Sequence, residues 1–290
     1  MRSSEGIKKF EELENFEDLR NLNDNFDSLT NFEVLKEMSR VKEDLGDIDE
    51  NENIIDLWQP LEFNIDKNYE YVPKDKLFLM ASNLIYYVIA YPILKILMKI
   101  IYDFKIEGRE NIKNVDSGAI SVSNHVLFLD CAMVGLSYGR RKIYYTTQEE
   151  SFKIPFVRKL IKLLRAIPIP KNIENRKYFI KAMDEILMNK DIIHFYPEAA
   201  LWPYCDRIRK FKNGAFDLAV RNNVPVIPIV FTFREPTGIR RIFKFKKDVT
   251  LKILKPIKCE EIGNTKQKVE NLKEKVFLEM KKEVEKSKEI

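Results

Sequence analysis

The sequence predicts an α/β protein with a mainly parallel central sheet flanked by helices, preceded by an N-terminal membrane-associated helix. Three observations predict it. From residue 103 onward short β-type runs alternate with helical patterns, which is the order of a βαβ sheet. One stretch, "LFLMASNLIYYVIAYPIL" at 77 to 94, runs 18 residues without a charge. The 290 residues are 45% hydrophobic and 33% charged, a balance that allows a sizeable core.

Residues 1–56 read as an acidic, flexible N-terminal arm, with 7 Lys/Arg against 17 Asp/Glu. A degenerate Phe-x-x-Leu repeat recurs in it at Phe10/Leu13, Phe16/Leu19, Phe26/Leu29 and Phe32/Leu35. Its irregular spacing suits short amphipathic helices in a solvated arm, and a partner-docking helix is the alternative. The run "EDLGDIDENENIID" is acidic, without periodicity, and reads as a linker.

Residues 57–102 hold linker and the apolar helix. The uncharged 18 residues would be about 27 Å long as a helix, the lower limit for spanning a bilayer. Pro92 should bend it. Lys95, Lys99 and the tyrosines 86, 87, 91 and 102 suit a helix lying in the interface, so the protein is expected at the cytoplasmic face of a membrane, peripheral or monotopic. The chain opens without a charged n-region, apolar core and cleavage site, so a secretory signal is not expected.

Residues 103–290 form the third region, where seven strands are expected at 103–108, 118–124, 142–148, 166–170, 191–197, 224–231 and 249–254. Helices fall at about 129–138, 152–164, 175–189, 214–222 and 266–288, and the last strands are free to run antiparallel. There is no GxGxxG and no GxxxxGK[ST], which removes two common phosphate-cradle folds. Three scattered cysteines, Cys131, Cys205 and Cys259, make no CxxC pair, so neither a disulfide framework nor a metal site is expected.

The net charge of +5 conceals a body, residues 57–290, that carries +15. Such a body favours anionic lipid head groups, nucleic acid or acidic substrates. No nucleic-acid reader motif or basic-aromatic interleaving accompanies it, so nucleic acid is not an expected partner.

"SNHVLFLD", residues 123 to 130, places His125, one of two histidines, five positions before Asp130. A β-type run enters it and a helical pattern leaves it, so His125 sits at a strand-to-helix corner, where open α/β sheets put their sites. A turn lets the Asp130 carboxylate hold one imidazole nitrogen and leaves the other as a base. Alone, the pair is better read as an N-terminal helical acid beside a satisfied core histidine. Asn124 can cap or brace the corner.

The pair is followed in order by "RAIPIPK", "FYPEAALWPYCDRIRKFKNGAF" and "VPVIPIVF". With Asn124, His125 and Asp130 as N-H-x4-D, Lys171 ending an apolar strand, Tyr196, Pro197 and Glu198 in an aromatic-Pro-Glu block, and Val224, Pro225, Val226 and Pro228, the chain resembles the glycerolipid acyltransferases. The resemblance covers roughly residues 100 to 255. It implies transfer of a fatty acyl group from acyl-CoA or acyl carrier protein, a co-substrate rather than a cofactor, to the sn-2 hydroxyl of 1-acylglycerol-3-phosphate or a related lysophospholipid at a membrane phospholipid surface. His125 and Asp130 would be catalytic. Asn124, Lys171, Pro197, Glu198, Arg207 and Arg209 would bind substrate.

The third block departs from the family. Where the resembled enzymes have G-T-R-S, this chain has Ala199, Ala200, Leu201 and Trp202, so Arg207, Arg209, Lys210 and Lys212 could supply cationic contacts from a later turn, an ordinary solvated basic face being the equal alternative, and Lys171 would lie nearest the acceptor phosphate. A lipid-binding protein without catalysis is the alternative reading; it gives no reason to keep both His125 and Asp130. His194 is expected to be a core histidine, and Trp202 and Tyr204 either line an acyl channel, meet lipid, or pack.

Overall fold

The computed structural model describes residue 65 and residues 69–288 apart from 74, 153–160, 163 and 243–246. The acidic arm and most of the helix expected over 152–164 lie outside the described residues. Glu50–Ile290 is one compact unit.

Helix α1, Lys76–Tyr102, comes first. The Asp75 carboxylate accepts the Leu77 N–H at 2.9 Å and so satisfies one donor at the helix start. Pro92 lacks the N–H that would close the turn before it, and Ile85–Ala90 widens into a π turn without ending the helix. Asp103 closes the helix in the left-handed region, φ 39°, its N–H returning to the Met98 carbonyl. By length and composition α1 could cross a membrane. One face, with Tyr86, Met98 and Tyr102, is nevertheless buried in the domain, while Leu77, Leu84, Val88, Ile93, Ile96 and Ile100 form an exposed stripe.

Seven strands follow: β1 Lys105–Glu107, β2 Ala119–Ser123, β3 Ile143–Gln148, β4 Ala166–Ile169, β5 Ile192–Phe195, β6 Val226–Arg234 and β7 Asp248–Ile253. Each lies where the alternation predicts it. They form one sheet in the order β1-β7-β6-β2-β5-β3-β4. All neighbours are parallel except β6 and β7, so the one antiparallel pair falls among the last strands. Every residue of β2 is buried, because helices cover both faces of the sheet.

Among the described residues the further α-helices are α2 Asp130–Tyr138, α3 Arg176–Met188, α4 Gly214–Arg221, α5 Gly238–Ile242 and α6 Thr265–Ser287. Among the described residues the sequence reading missed the short α5 and the 3-10 turns Arg109–Ile112, Glu149–Phe152 and Ile173–Asn175, which are too brief for a periodic signal. Met98, Tyr102, Met133 and Val134 place α1 and α2 over one face of the sheet. Phe179, Met183, Phe216, Leu218, Val276 and Met280 place α3, α4 and α6 over the other. Since β2, β3, β4, β5 and β6 point the same way, their carboxyl ends share one edge of the sheet.

Candidate active site

The loop after β2 and the loop after β5 meet at that edge. His125 Nδ1 lies 2.6 Å from Asp130 Oδ2, with Asp130 as the first residue of α2. The Val126 N–H also donates to Oδ2 at 3.3 Å, and the Tyr196 hydroxyl donates to Oδ1 at 2.7 Å. Both carboxylate oxygens are therefore held, and the charge sits at a helix N-terminus where the peptide dipoles favour it. The Asp130 side chain is 1% exposed and that of His125 23%. The dyad is thus anchored from within and open on its outer side.

Tyr196 also stacks on the His125 ring, centroids 3.9 Å apart and planes 17° apart. Sequence reasoning placed Tyr196 only at the aromatic position of its block; its hydroxyl was the available signal. Burial and the adjacent Asp130 charge hold the Tyr196 phenol well above its usual range, so it remains a donor to Asp130.

Behind Tyr196 lies His194 on β5, its ring edge-on at 4.7 Å. Ser121 Oγ sits 2.9 Å from its Nδ1 and Ser123 Oγ 3.2 Å from its Nε2. These serines project from the same face of β2 because strand side chains alternate. With both nitrogens used and no exposure, His194 is a core histidine, as expected. Burial pushes its pKa down to about 3, with Asp130 opposing that shift and His125 adding to it.

Glu198 is the second anchor of the loop. Its Oε1 accepts the Arg209 N–H at 3.0 Å, and its Oε2 accepts from Arg209 Nη2 at 2.9 Å and from the His125 N–H at 3.4 Å. Arg209 also donates to the Ala200 carbonyl and lies over the Trp202 ring, 4.7 Å from its centroid. Burial raises the Glu198 pKa, opposed by the Arg209 charge and by these backbone donors. The 202–204 segment pairs back onto the histidine loop, Trp202 N–H to the His125 carbonyl at 3.0 Å and Tyr204 N–H to the Val126 carbonyl at 2.9 Å.

The geometry shows what several residues expected to bind substrate hold within the protein. Asn124 is buried, its amide accepting the Phe231 N–H at 2.8 Å and donating to the Phe231 carbonyl at 3.1 Å; it braces β2 against β6. Arg209, 1% exposed, is spent on Glu198, so it fixes the loop instead of meeting a phosphate. Glu198 correspondingly holds the loop's own groups. Pro197 is buried and its carbonyl accepts the Lys212 N–H at 2.8 Å, a turn role.

Of the expected cations, Arg207, Lys210, Lys212 and Lys171 are open to solvent. Arg207 is exposed and lies 5.8 Å from the Trp202 ring centroid. Lys171, with a side chain 70% exposed, pairs with Glu150. It follows β4, three strand positions from β2, which is about 14 Å across the edge.

Residues 103–232 match the family model described as Acyltransferase. Over 130 residues the chain is 32% identical to a chloroplastic 1-acyl-sn-glycerol-3-phosphate acyltransferase of Arabidopsis thaliana, covering 44% of this chain and 35% of that protein. Over 192 residues it is 27% identical to the 1-acyl-sn-glycerol-3-phosphate acyltransferase of Saccharomyces cerevisiae, covering 64% of this chain and 60% of that one. The chain thus spans less than two thirds of these relatives. A crystal structure of the 1-acyl-sn-glycerophosphate acyltransferase from Thermotoga maritima superposes with a TM-score of 0.52 at 22% identity, covering 75% of this chain and 85% of that one. It supports the fold.

Proposed function

We propose that the chain, whose residues 103–232 match the family model described as Acyltransferase, moves a fatty acyl group from an acyl thioester to the sn-2 hydroxyl of 1-acylglycerol-3-phosphate or a related lysophospholipid. The observation that carries this reading is the His125/Asp130 contact of 2.6 Å at the carboxyl edge of the sheet. Asp130 occupies Nδ1, which leaves Nε2 as the base on the open side. Nε2 takes the acceptor's hydroxyl proton as its oxygen attacks the thioester carbonyl. The tetrahedral intermediate collapses by breaking the carbon–sulfur bond, and the departing thiolate recovers the proton from the imidazolium. Asp130 stabilises that imidazolium, and Tyr196 and the Val126 amide keep the carboxylate aligned.

The acyl carrier is coenzyme A or acyl carrier protein, acting as co-substrate. The exposed Arg207, Lys210 and Lys212 are the candidate cations for the acceptor phosphate on this loop, and Lys171 is a further one. The exposed stripe of α1 suits a bilayer, from which a lysophospholipid is drawn.

Incubating the purified full chain with labelled acyl-CoA or acyl carrier protein and a lysophospholipid panel tests this. Wild type is expected to form the diacyl product, His125→Ala to lose about 10² to 10⁴ in rate while still folded by circular dichroism, and Asp130→Asn to lose less. A folded His125→Ala protein retaining more than about a tenth of wild-type turnover would overturn the assignment.

A further inference from the structure

Strand β6 runs five residues past the end of β2, since Ser123 faces Ile229 and the strand continues to Arg234. The β6–β7 connection therefore stands about 16 Å beyond the end of β2, on the edge that carries His125. Helix α5 lies in this connection and exposes Ile239 at 68% and Ile242 at 77%.

Its place is fixed. Arg240 donates to the Ile100 carbonyl at 2.5 Å and the Ile101 carbonyl at 2.8 Å, capping the last turn of α1, and its Nε bonds Asp248 at 2.8 Å. Arg234 continues the brace, donating to the Asp103 carbonyl at 3.1 Å and Thr250 Oγ1 at 3.0 Å. The apolar residues of α5 are thereby held beside the apolar stripe of α1, at the end nearest the active site. Phe128, 61% exposed in the turn between His125 and Asp130, lies at the same edge.

From Gly238 to Lys247 the sequence has five cations and no acid, and Arg241 is exposed between the two isoleucines. Short apolar side chains flanked by cations match the layered chemistry of an anionic bilayer, with acyl chains below and phosphates above. We infer that α5 is a second membrane foot: Ile239 and Ile242 enter the acyl boundary of an anionic lipid surface while Arg241 meets its phosphates, turning the His125 edge toward the bilayer. α1 alone could roll about its long axis; a foot braced to its end removes that freedom. This rests on the reading of α1 as membrane-associated and of the acceptor as a lysophospholipid.

Flotation of the full chain with vesicles of phosphatidylcholine, alone or mixed with phosphatidylglycerol, tests it. Ile239→Ser/Ile242→Ser is expected to weaken binding to the mixed vesicles about tenfold or more, with an unchanged melting curve. Turnover of a water-soluble short-chain lysophosphatidate should stay within about twofold of wild type, because no bilayer is involved. Arg241→Gln, a surface change that leaves the apolar pair in place, should weaken binding several-fold on the anionic mixture only. Binding of the double variant equal to wild type, or loss no greater on anionic than on neutral vesicles for Arg241→Gln, overturns the foot; so does a wild type that binds neither vesicle. Vesicle binding is read without acyl transfer, so a protein that binds through α5 yet moves no acyl group defeats the enzymatic reading alone.

Discussion

At residue 199 the chain holds alanine with φ 61°, at the place where the resembled block has glycine. A left-handed alanine costs about 1 to 2 kcal/mol, while glycine's extra freedom in the unfolded chain returns roughly 0.5 to 1. Ala199→Gly should therefore stabilise the protein by about 0.5 to 1 kcal/mol in urea unfolding; a loss of stability would contradict the strain. The Glu198/Arg209 pair gives the opposite case, two buried charges that depend on each other. Arg209→Ala strands a carboxylate and should cost about 3 to 5 kcal/mol, whereas Glu198→Gln with Arg209→Met should cost clearly less than the two single changes together. Additive losses in the same urea series would show that the pair is not coupled. His125 and Asp130 were legible because a strand-to-helix corner and a five-residue offset fix their geometry locally. The Arg209 ion pair was not legible, because sequence shows a cation near the site but not the Glu198 carboxylate that turns it inward.

At the scale of elements, β2 and β5 lie parallel with His194 clasped by Ser121 and Ser123. The unfolded chain titrates this histidine near 6.5, and the folded one only near 3. Between those values the unfolded state binds the extra proton, so the stability from neutral His194 is complete above about pH 6.5 and drains as pH falls. One such group loses about 2 kcal/mol between pH 6.5 and 5. His194→Gln, which can still bond the serines, should flatten that part of the stability curve; an unchanged slope would assign the acid sensitivity elsewhere. All seven strands were readable because buried parallel strands are short apolar runs between turn signals. The dual character of α1 was not, since an uncharged run does not reveal which of its residues face protein and which face outward.

For the whole molecule, the separation of charge between an acidic arm and a body at +15 makes contact with anionic lipid dependent on ionic strength. Raising salt from about 0.05 M to about 0.5 M shortens the screening length from roughly 14 Å to roughly 4 Å. Affinity for phosphatidylglycerol-containing vesicles should then fall several-fold, with neutral vesicles little affected; equal loss on both would mean that charge does not steer the contact. The sheet order has a further consequence, for synthesis. β1 pairs only with β7, Lys105 lying opposite Thr250, so the second strand of that pair leaves the ribosome long after the first. At usual elongation rates the delay is on the order of ten seconds. Throughout it β1 has no partner, while α1, already made, can settle on a lipid surface. On the proposed reading of α1, the nascent chain reaches a bilayer before its sheet can close, and translation sets the order in which anchor and enzyme are completed.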